Sequence, residues 1–435
     1  MFKLTGDRPI VSSGSSRRDF LCAGAWAAGG LTLADLLRAD TIAAPARASG
    51  SRHRAKSIIN IALSGGPSHL DMFDLKPEAP SEVRGQFRPI QTAVPGFEIC
   101  EHFGELSKVA DRFSVIRSIS DASNEHTNVQ SDTGWPERSL KELGGRPGIG
   151  AVTSKLLGRV DACPIASVSL TGHTSPGFLG QSLKDFNPYT AARQTLRLSM
   201  PEVRLNNRNE LLGALDKFRR DTDANGAMQA MDRFTQDAID IVTAPVFSDA
   251  LDSSKEPASS RDRYGRDPQT RQMNEKFLVA RRLVEAGVRV VSFTWGGWDT
   301  HSNNFTTLKQ QLPRLGQGLT ALIRDLEERG TLDDTIILMS GEFGRTPRIN
   351  GGAGRDHWPQ ASFVFIAGGG LKMGQAIGST DRLGAKPAER PIHLQQVYAT
   401  VYRQLGIDVD SAQLIDPAGR PQYIVENREP ISELV

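Results

Sequence analysis

The sequence predicts an α/β domain whose central sheet is mostly parallel and carries helices on both faces. Short apolar runs bounded by Gly or Pro indicate buried strands. Longer segments with apolar residues at helical spacing lie between them. Hydrophobic residues make up 38% and charged residues 23% of the 435 residues, so a large core forms without disulfides. Buried strands that alternate with helices are typical of a parallel sheet covered on both sides.

Each element is predicted from its own pattern. The strands are predicted at residues 57–63, 113–119, 165–170, 288–294, 335–339 and 362–367. Helices are predicted at 272–285 and 394–405, and at about 306–329, where leucines recur every three or four residues and Pro313 begins or kinks the helix. The more polar stretch of about 175–270 is predicted to be a helical insertion or cap, with an exposed loop at 253–266.

The N-terminus resembles an export signal. Arg17 and Arg18 are followed by a weakly apolar run that ends near Leu37, and Ala46-Arg47-Ala48 offers small residues around a cleavage position. This order is typical of a twin-arginine signal peptide at residues 1–48, which directs the domain at 49–435 to the periplasm or cell envelope. The alternative is an amphipathic N-terminal helix. No run of 18 apolar residues predicts a transmembrane helix.

Charge and cysteine content narrow the class of protein. The 52 basic and 50 acidic residues leave a formal charge of +2, which does not favour a nucleic-acid partner. Cys22 lies in the predicted signal. Cys100 and Cys163 have no metal-type spacing, and they form either one disulfide or two separate buried thiols.

Polar clusters follow the predicted strands, at the edge where α/β sheets bind ligands. The first is residues 64–74, where two glycines precede His69 and Asp71; the alternative role for Asp71 is a helix cap. The second is residues 295–301, where Asp299 and His301 are two positions apart and face one ion if the chain is extended.

Two further clusters lie later in the chain. Residues 340–347 contain Glu342, a candidate for metal ligation or proton transfer, and Arg345, a candidate for gripping a phosphate or sulfate oxyanion. The alternative is a structural ion pair between the two. Residues 354–359 present the adjacent Asp356 and His357 between Gly and Pro, which suits a fixed loop that holds a metal.

Residues 118–128 form the last cluster. Ser123, His126 and Thr127 follow the strand at 113–119 and are candidates for the nucleophile or for a metal ligand, with a helix N-cap as the alternative. Mixed carboxylates and imidazoles select no single metal strongly. We expect a divalent ion, zinc first, with Ca, Mg and Mn as alternatives.

Four segments resemble the signature blocks of a known family, domain of unknown function 1501. They read Ser-Gly-Gly-Pro-Ser-His-Leu-Asp, Gly-Gly-Trp-Asp-Thr-His, Gly-Glu-Phe-Gly-Arg-Thr-Pro and Gly-Arg-Asp-His-Trp-Pro, and their order fits across residues 55–410. The family is similar to the alkaline phosphatase and sulfatase superfamily. The resemblance implies an alkaline phosphatase-like three-layer fold, one or two divalent metals at strand ends, and hydrolysis of a phosphate or sulfate ester.

The chain departs from that superfamily in two ways. The first strand ends in Ser64-Gly65-Gly66, where the superfamily has an Asp, and the Cys-x-Pro-x-Arg motif of formylglycine sulfatases is absent. Counting back from Thr133-Gly134 to the superfamily's nucleophile position gives Asn124, with Ser123 beside it. The superfamily's last histidine corresponds to His393, whose alternative role is to begin a helix.

Two functions follow as hypotheses. The first is an exported metal-dependent hydrolase that acts on a phosphorylated or sulfated small molecule or glycan. Its metal ligands are drawn from the carboxylate and imidazole side chains His69, Asp71, Asp299, His301, Glu342, Asp356 and His357, and its catalytic groups are Ser123, His126, Thr127 and Arg345. The second is a non-catalytic envelope protein that keeps the fold and binds an anionic glycan or a partner.

Overall fold

The structure is a computed structural model, and it describes residues 55–160, 163–189 and 245–435. The predicted signal at 1–48 lies outside these residues, as does the 190–244 part of the predicted cap. The described strands of the central sheet are β1 (Ser57–Leu63), β2 (Phe113–Ser120), β3 (Ser167–Ser169), β4 (Val290–Thr294), β5 (Thr335–Gly341), β6 (Ser362–Gly368), β7 (Ala376–Ile377) and β8 (Ile392–His393).

The sheet has the order β7-β2-β6-β5-β1-β4-β3, and β8 pairs with β2. Strand β6 runs antiparallel to both of its neighbours, β2 and β5, while every other pairing is parallel. Seven of the eight described strands therefore share one direction, as the sequence predicts. The start of β6 consequently lies at the same edge as the carboxyl ends of the other strands.

The described α-helices are α1 (His69–Met72), α2 (Ser81–Arg84), α3 (Val129–Thr133), α4 (Ile149–Leu157), α5 (Pro245–Ala250), α6 (Ala258–Tyr264), α7 (Pro268–Glu285), α8 (Asn304–Glu328) and α9 (Leu394–Gln404). Helix α7 begins where Asp267 accepts a hydrogen bond from the Thr270 amide and Pro268 fixes the first turn. Helix α8 begins at Asn304 and runs past Pro313, so the proline does not start it.

Two apolar cores lie on opposite faces of the sheet. In β1, Ile59 and Ile61 face the core that includes the buried leucines of α8, and Ile58 faces the core that includes Val397 of α9. This alternation follows from the two-residue period of a strand, and burial on both faces explains the continuous apolar sequence of β1. The architecture is therefore three-layered, with helices on both faces of the sheet.

Several local predictions are corrected. The segment 253–266, predicted as an exposed loop, contains α6, and its Tyr264 is buried and bonded to Asp325. Cys100 and Cys163 are both buried free thiols, so the disulfide alternative is not present. Four short two-stranded sheets also occur, pairing Pro89–Gln91 with Glu98–Cys100, Gly344–Arg345 with His357–Trp358, Ser379–Thr380 with Pro387–Glu389, and Gln413–Ile415 with Pro421–Tyr423.

No helix in the described residues is long and apolar enough to cross a bilayer.

Candidate metal centre

Four side chains bring their ligand atoms together at the carboxyl edge of the sheet. His126, Asp299, His301 and His357 each offer one atom, and these atoms lie within 4.8 Å of one another. His126 follows β2, Asp299 and His301 follow β4, and His357 precedes the antiparallel β6. The topology therefore gathers residues that are more than 200 positions apart in the chain.

His357 lies at the centre of this cluster. Its Nε2 atom is 2.9 Å from Nε2 of His126 and 3.0 Å from Nε2 of His301. The same nitrogen is 3.4 Å from Oδ1 of Asp299. Three imidazole nitrogens that face one another cannot all be paired among themselves, because each hydrogen bond needs one donor and one acceptor. A cation that accepts all three lone pairs fits this donor set, and three imidazoles with one carboxylate suit zinc.

Two carboxylates lie behind the histidines and orient them. Oδ1 of Asp356 is 2.7 Å from Nδ1 of His301, and Oε2 of Glu342 is 3.1 Å from Nδ1 of His126. Each carboxylate accepts the Nδ1 proton, which leaves the Nε2 lone pair directed into the cluster. Asp356 and Glu342, predicted from the sequence as ligands, therefore lie one shell further out than predicted.

Glu342 is held by the glycine turn after β1. The amide of Gly65 donates to Oε2 of Glu342 over 3.0 Å, and the side chain is buried. Gly65 has a φ of +104°, and a Cβ there would lie 2.6 Å from the Asp299 amide nitrogen. Only glycine allows both the backbone angle and the close approach of these two loops.

The position of Arg345 corrects its predicted role. The side chain is fully buried and does not face an incoming anion. It donates to the carbonyls of Gly65 and Gly66, to the carbonyl of Arg355, and over 2.7 Å to Oδ1 of Asp299. Arg345 therefore ties the ligand loops together instead of binding a phosphate or sulfate oxyanion.

Asp71 and His69 also lie away from the cluster. Arg355 binds both carboxylate oxygens of Asp71, at 2.7 and 3.0 Å, and both side chains are fully buried. Ser68 and Asn304 donate to the same carboxylate. His69 is buried, its Nε2 bonds to the carbonyl of Gly384, and burial lowers its pKa. Neither residue has a free ligand atom directed at an ion, so the predicted metal role is replaced by an internal one.

The electrostatics of the cluster suit metal binding. Burial alone raises the pKa of Asp299, but its hydrogen bond to Arg345 outweighs burial and holds that pKa below the usual value. Burial, followed by the charge of Arg345, lowers the pKa of His357. The hydrogen bond from His301 lowers the pKa of Asp356. A neutral imidazole and an ionised carboxylate are the forms that bind a metal.

The predicted nucleophiles flank His126. The Ser123 hydroxyl donates to Glu125 over 3.2 Å, and the Thr127 side chain hydrogen-bonds to Glu137. Within the described residues, neither hydroxyl has a hydrogen bond to the four ligand candidates. His393 caps α9, where its Nδ1 accepts from the Gln395 amide, and it lies outside the cluster.

Two functional residues were not singled out by the sequence analysis. Arg355 lies inside the Gly-Arg-Asp-His-Trp-Pro block, and its position next to Asp356 was the available signal. Phe343 stacks on the His357 ring with centroids 4.4 Å apart and lies 5.3 Å from the His126 ring. It forms an apolar wall that fixes both imidazoles.

These residues lie within the stretch recognised by a family profile. The profile is described as protein of unknown function (DUF1501), and it matches residues 55–435. The chain belongs to this family. None of the curated proteins compared with the chain matches it.

Solved structures of similar fold include three enzyme types. One is the structure titled Ps i-CgsB in complex with k-i-k-neocarrahexaose, with 11% identity, coverage of 82% of this chain and 73% of that chain, and a TM-score of 0.39. The C-terminal periplasmic domain of EcEptC from Escherichia coli, in complex with Zn, has 9% identity, 88% coverage of both chains and a TM-score of 0.37. An alkaline phosphatase from the Antarctic bacterium TAB5 has 9% identity, covers 82% and 99%, and has a TM-score of 0.34. The function proposed next is argued from the residues of this chain.

Proposed function

We propose that the protein is an exported metal-dependent hydrolase of phosphate or sulfate esters. The observation that carries the proposal is the convergence of three imidazole Nε2 atoms and one carboxylate oxygen within 4.8 Å. His126, Asp299, His301 and His357 would hold the metal. Zinc suits this nitrogen-rich set best, and Ca, Mg and Mn are weaker fits because they favour oxygen ligands.

The surrounding residues prepare this site before any ligand arrives. Glu342 and Asp356 keep a proton on Nδ1 of His126 and His301, so that each Nε2 is free to bind. Arg345 keeps Asp299 ionised and fixes its direction through contacts to three loops. A bound divalent ion supplies Lewis acidity, which polarises an ester oxygen and acidifies a water.

The substrate class in this proposal is a phosphorylated or sulfated small molecule or glycan. His126, His301 and Asp299 are each more than 40% exposed, so an ester group can reach the cluster from solvent. Ser123, Thr127 and water are the three candidates for the attacking oxygen. The proposal also includes export through the twin-arginine signal at 1–48 to the periplasm or cell envelope, a route that carries folded proteins.

The test combines metal analysis with turnover. We expect purified residues 49–435 to carry about one equivalent of zinc and to hydrolyse a nitrophenyl phosphate or sulfate. His357→Ala removes the central ligand, so the variant is expected to lose both the zinc and the hydrolysis.

His393→Asn is the matched control, because asparagine also caps helices well and His393 lies outside the cluster. This variant is expected to keep zinc and turnover. Full hydrolysis by His357→Ala or by metal-stripped protein would contradict the proposal. Zinc binding without turnover of any ester would refute the hydrolase function and leave the metal centre standing.

A further inference from the structure

A second group of polar side chains surrounds a narrow cleft that the metal centre does not use. Its walls include Asn60 of β1, Ser292 of β4, and Ser131 and Asp132 of α3, with Asn128 directly before that helix. None of the four metal-ligand candidates lines it. The cavity measures about 10 Å³, which is room for one water-sized particle.

The cleft concentrates unpaired oxygen atoms. Asn60 Oδ1, Asn128 Oδ1, Ser131 Oγ, Asp132 Oδ1 and Ser292 Oγ are buried side-chain atoms without a hydrogen-bond partner. Four of these side chains, those other than Asn128, are at most 4% exposed. Burying a polar atom without a partner costs free energy, and native structures rarely keep several such atoms in one place. These oxygens therefore point to an occupant.

A single water does not satisfy this set. Water donates two hydrogen bonds, whereas the two amide oxygens and the Asp132 carboxylate are three acceptors. No Lys or Arg lines the cleft. Burial, followed by the charge of Asp185, raises the pKa of Asp132 well above its usual value, so an empty cleft leaves that group protonated. A cation would replace this proton and accept the lone pairs of all five oxygens.

We propose that this cleft is a second cation site, built only from oxygen ligands, that takes a hard cation such as calcium. Calcium is bound in proteins by carboxylates, amide carbonyls and other oxygens, and it tolerates irregular geometry. Zinc prefers the imidazole cluster, so the two centres differ in the ion they select. A single carboxylate sets the affinity at the weak end, at about 0.1–1 mM.

The position of the cleft gives such an ion a purpose. Strand β1 continues from Asn60 to Gly65, whose amide holds Glu342, and β4 continues from Ser292 to Asp299. His126 is two residues before Asn128. A cation in the cleft therefore fastens three of the segments that carry the metal cluster, and calcium is expected to tighten zinc binding and zinc to tighten calcium binding by the same factor.

The test measures the thermal midpoint of the zinc-loaded protein against calcium chloride, with choline chloride at equal ionic strength as the reference. We expect a saturating rise of about 2 °C over the low millimolar range, and its loss below the pH at which Asp132 takes up a proton. Sodium chloride against choline chloride forms a second arm. A sodium effect that depends on Asp132 would support the same site with a monovalent occupant.

Asp132→Asn is expected to fold, because the empty site already holds this carboxyl in its neutral form, and to lose the calcium response. Asp185→Asn is the matched control, since it removes a neighbouring buried carboxyl that does not line the cleft. It should keep the response, as should His357→Ala, in which the imidazole cluster is broken. The proposal fails if no salt raises the midpoint of the wild type, or if Asp132→Asn responds like the wild type.

Discussion

The exposed histidine cluster and the buried arginines beneath it come from the same sequence blocks but do different work. The side chains of His126 and Asp299 are 42% and 49% exposed, whereas those of Arg345 and Arg355 are fully buried. The outward residues converge on one point in space. The inward residues use their donors on backbone carbonyls and carboxylates of the same loops. Charge in a motif block therefore does not by itself mark a residue that touches substrate.

Arg355 shows how completely an inward residue is engaged. It pairs with both oxygens of Asp71 and also donates to the carbonyls of Val83, Thr346 and Pro347. These bonds join the segment after β1 to the loop that carries Asp356 and His357. The comparison therefore predicts that inner substitutions act on stability and that outer ones act on metal affinity.

The largest effect is expected from Arg355→Leu. It leaves the carboxylate of Asp71 buried without its counter-charge, which costs about 3–5 kcal/mol in the free energy of unfolding. Urea denaturation of the metal-free protein measures it. Arg348→Leu is the control, because Arg348 is exposed in the same loop and should change stability by less than about 0.5 kcal/mol. Equal losses in the two variants would remove the distinction between the layers.

Arg345→Lys tests the inner layer without removing charge. Lysine has one nitrogen in place of a planar fork, so it cannot serve Gly66, Arg355 and Asp299 together. We expect a loss of about 1–3 kcal/mol in stability from the unpaired buried carbonyls. Zinc affinity should fall as well, because Asp299 loses its orientation. Arg348→Lys should alter neither quantity, and an Arg345→Lys protein with unchanged stability and zinc affinity would refute the positioning role.

Glu342→Gln and Asp356→Asn test the carboxylates behind the histidines. Each substitution keeps the shape but weakens the hold on the Nδ1 proton, so zinc affinity should fall by about 10–100-fold for each. Competition against a zinc-binding dye measures this affinity. If these residues were ligands, as the sequence suggested, the loss would approach that of His357→Ala. Glu389→Gln, on an exposed strand, is expected to leave zinc affinity unchanged.

The sequence predicts the fold better than the roles of its charged residues. Strand β1 matches its predicted bounds, and the helix predicted at 306–329 is observed at Asn304–Glu328, because continuous apolar runs and regular leucine spacing are local signals. Helix α6 was missed because its segment is polar and buries mainly Tyr264. Its helical state depends on packing against α7 and α8, which the local sequence does not show.

The candidate site was predictable in its residue types but not in its layers. His126, Asp299, His301 and His357 were all singled out from the sequence. Nothing local distinguishes Asp71 from Asp299, however, because each follows a strand and a pair of glycines. Burial separates them. The place of His357 also depends on the antiparallel direction of β6, since a parallel strand would carry the preceding loop to the opposite edge.

The smallest effect is expected at a surface copy of the buried pair. Arg390 grips both oxygens of Glu433, at 2.6 and 3.0 Å, much as Arg355 grips Asp71, but the two side chains are about one-third exposed. The hydrogen bond from Arg390 lowers the pKa of Glu433 from 4.5 to about 2. Solvent screening reduces the worth of such a pair, so Glu433→Gln should cost only about 0.5–1 kcal/mol at neutral pH.

The pH dependence gives this prediction its sign. A lowered pKa in the folded state means that the contribution of Glu433 is fully present above pH 4.5 and is lost as the pH falls toward 2. Denaturation of the wild type and Glu433→Gln at pH 7 and pH 3 should therefore show a difference that narrows in acid. Glu429→Gln, an exposed neighbour, is expected to show little difference at either pH. A Glu433 effect as large as that of Arg355→Leu would mean that bidentate geometry, and not burial, sets the strength of these pairs.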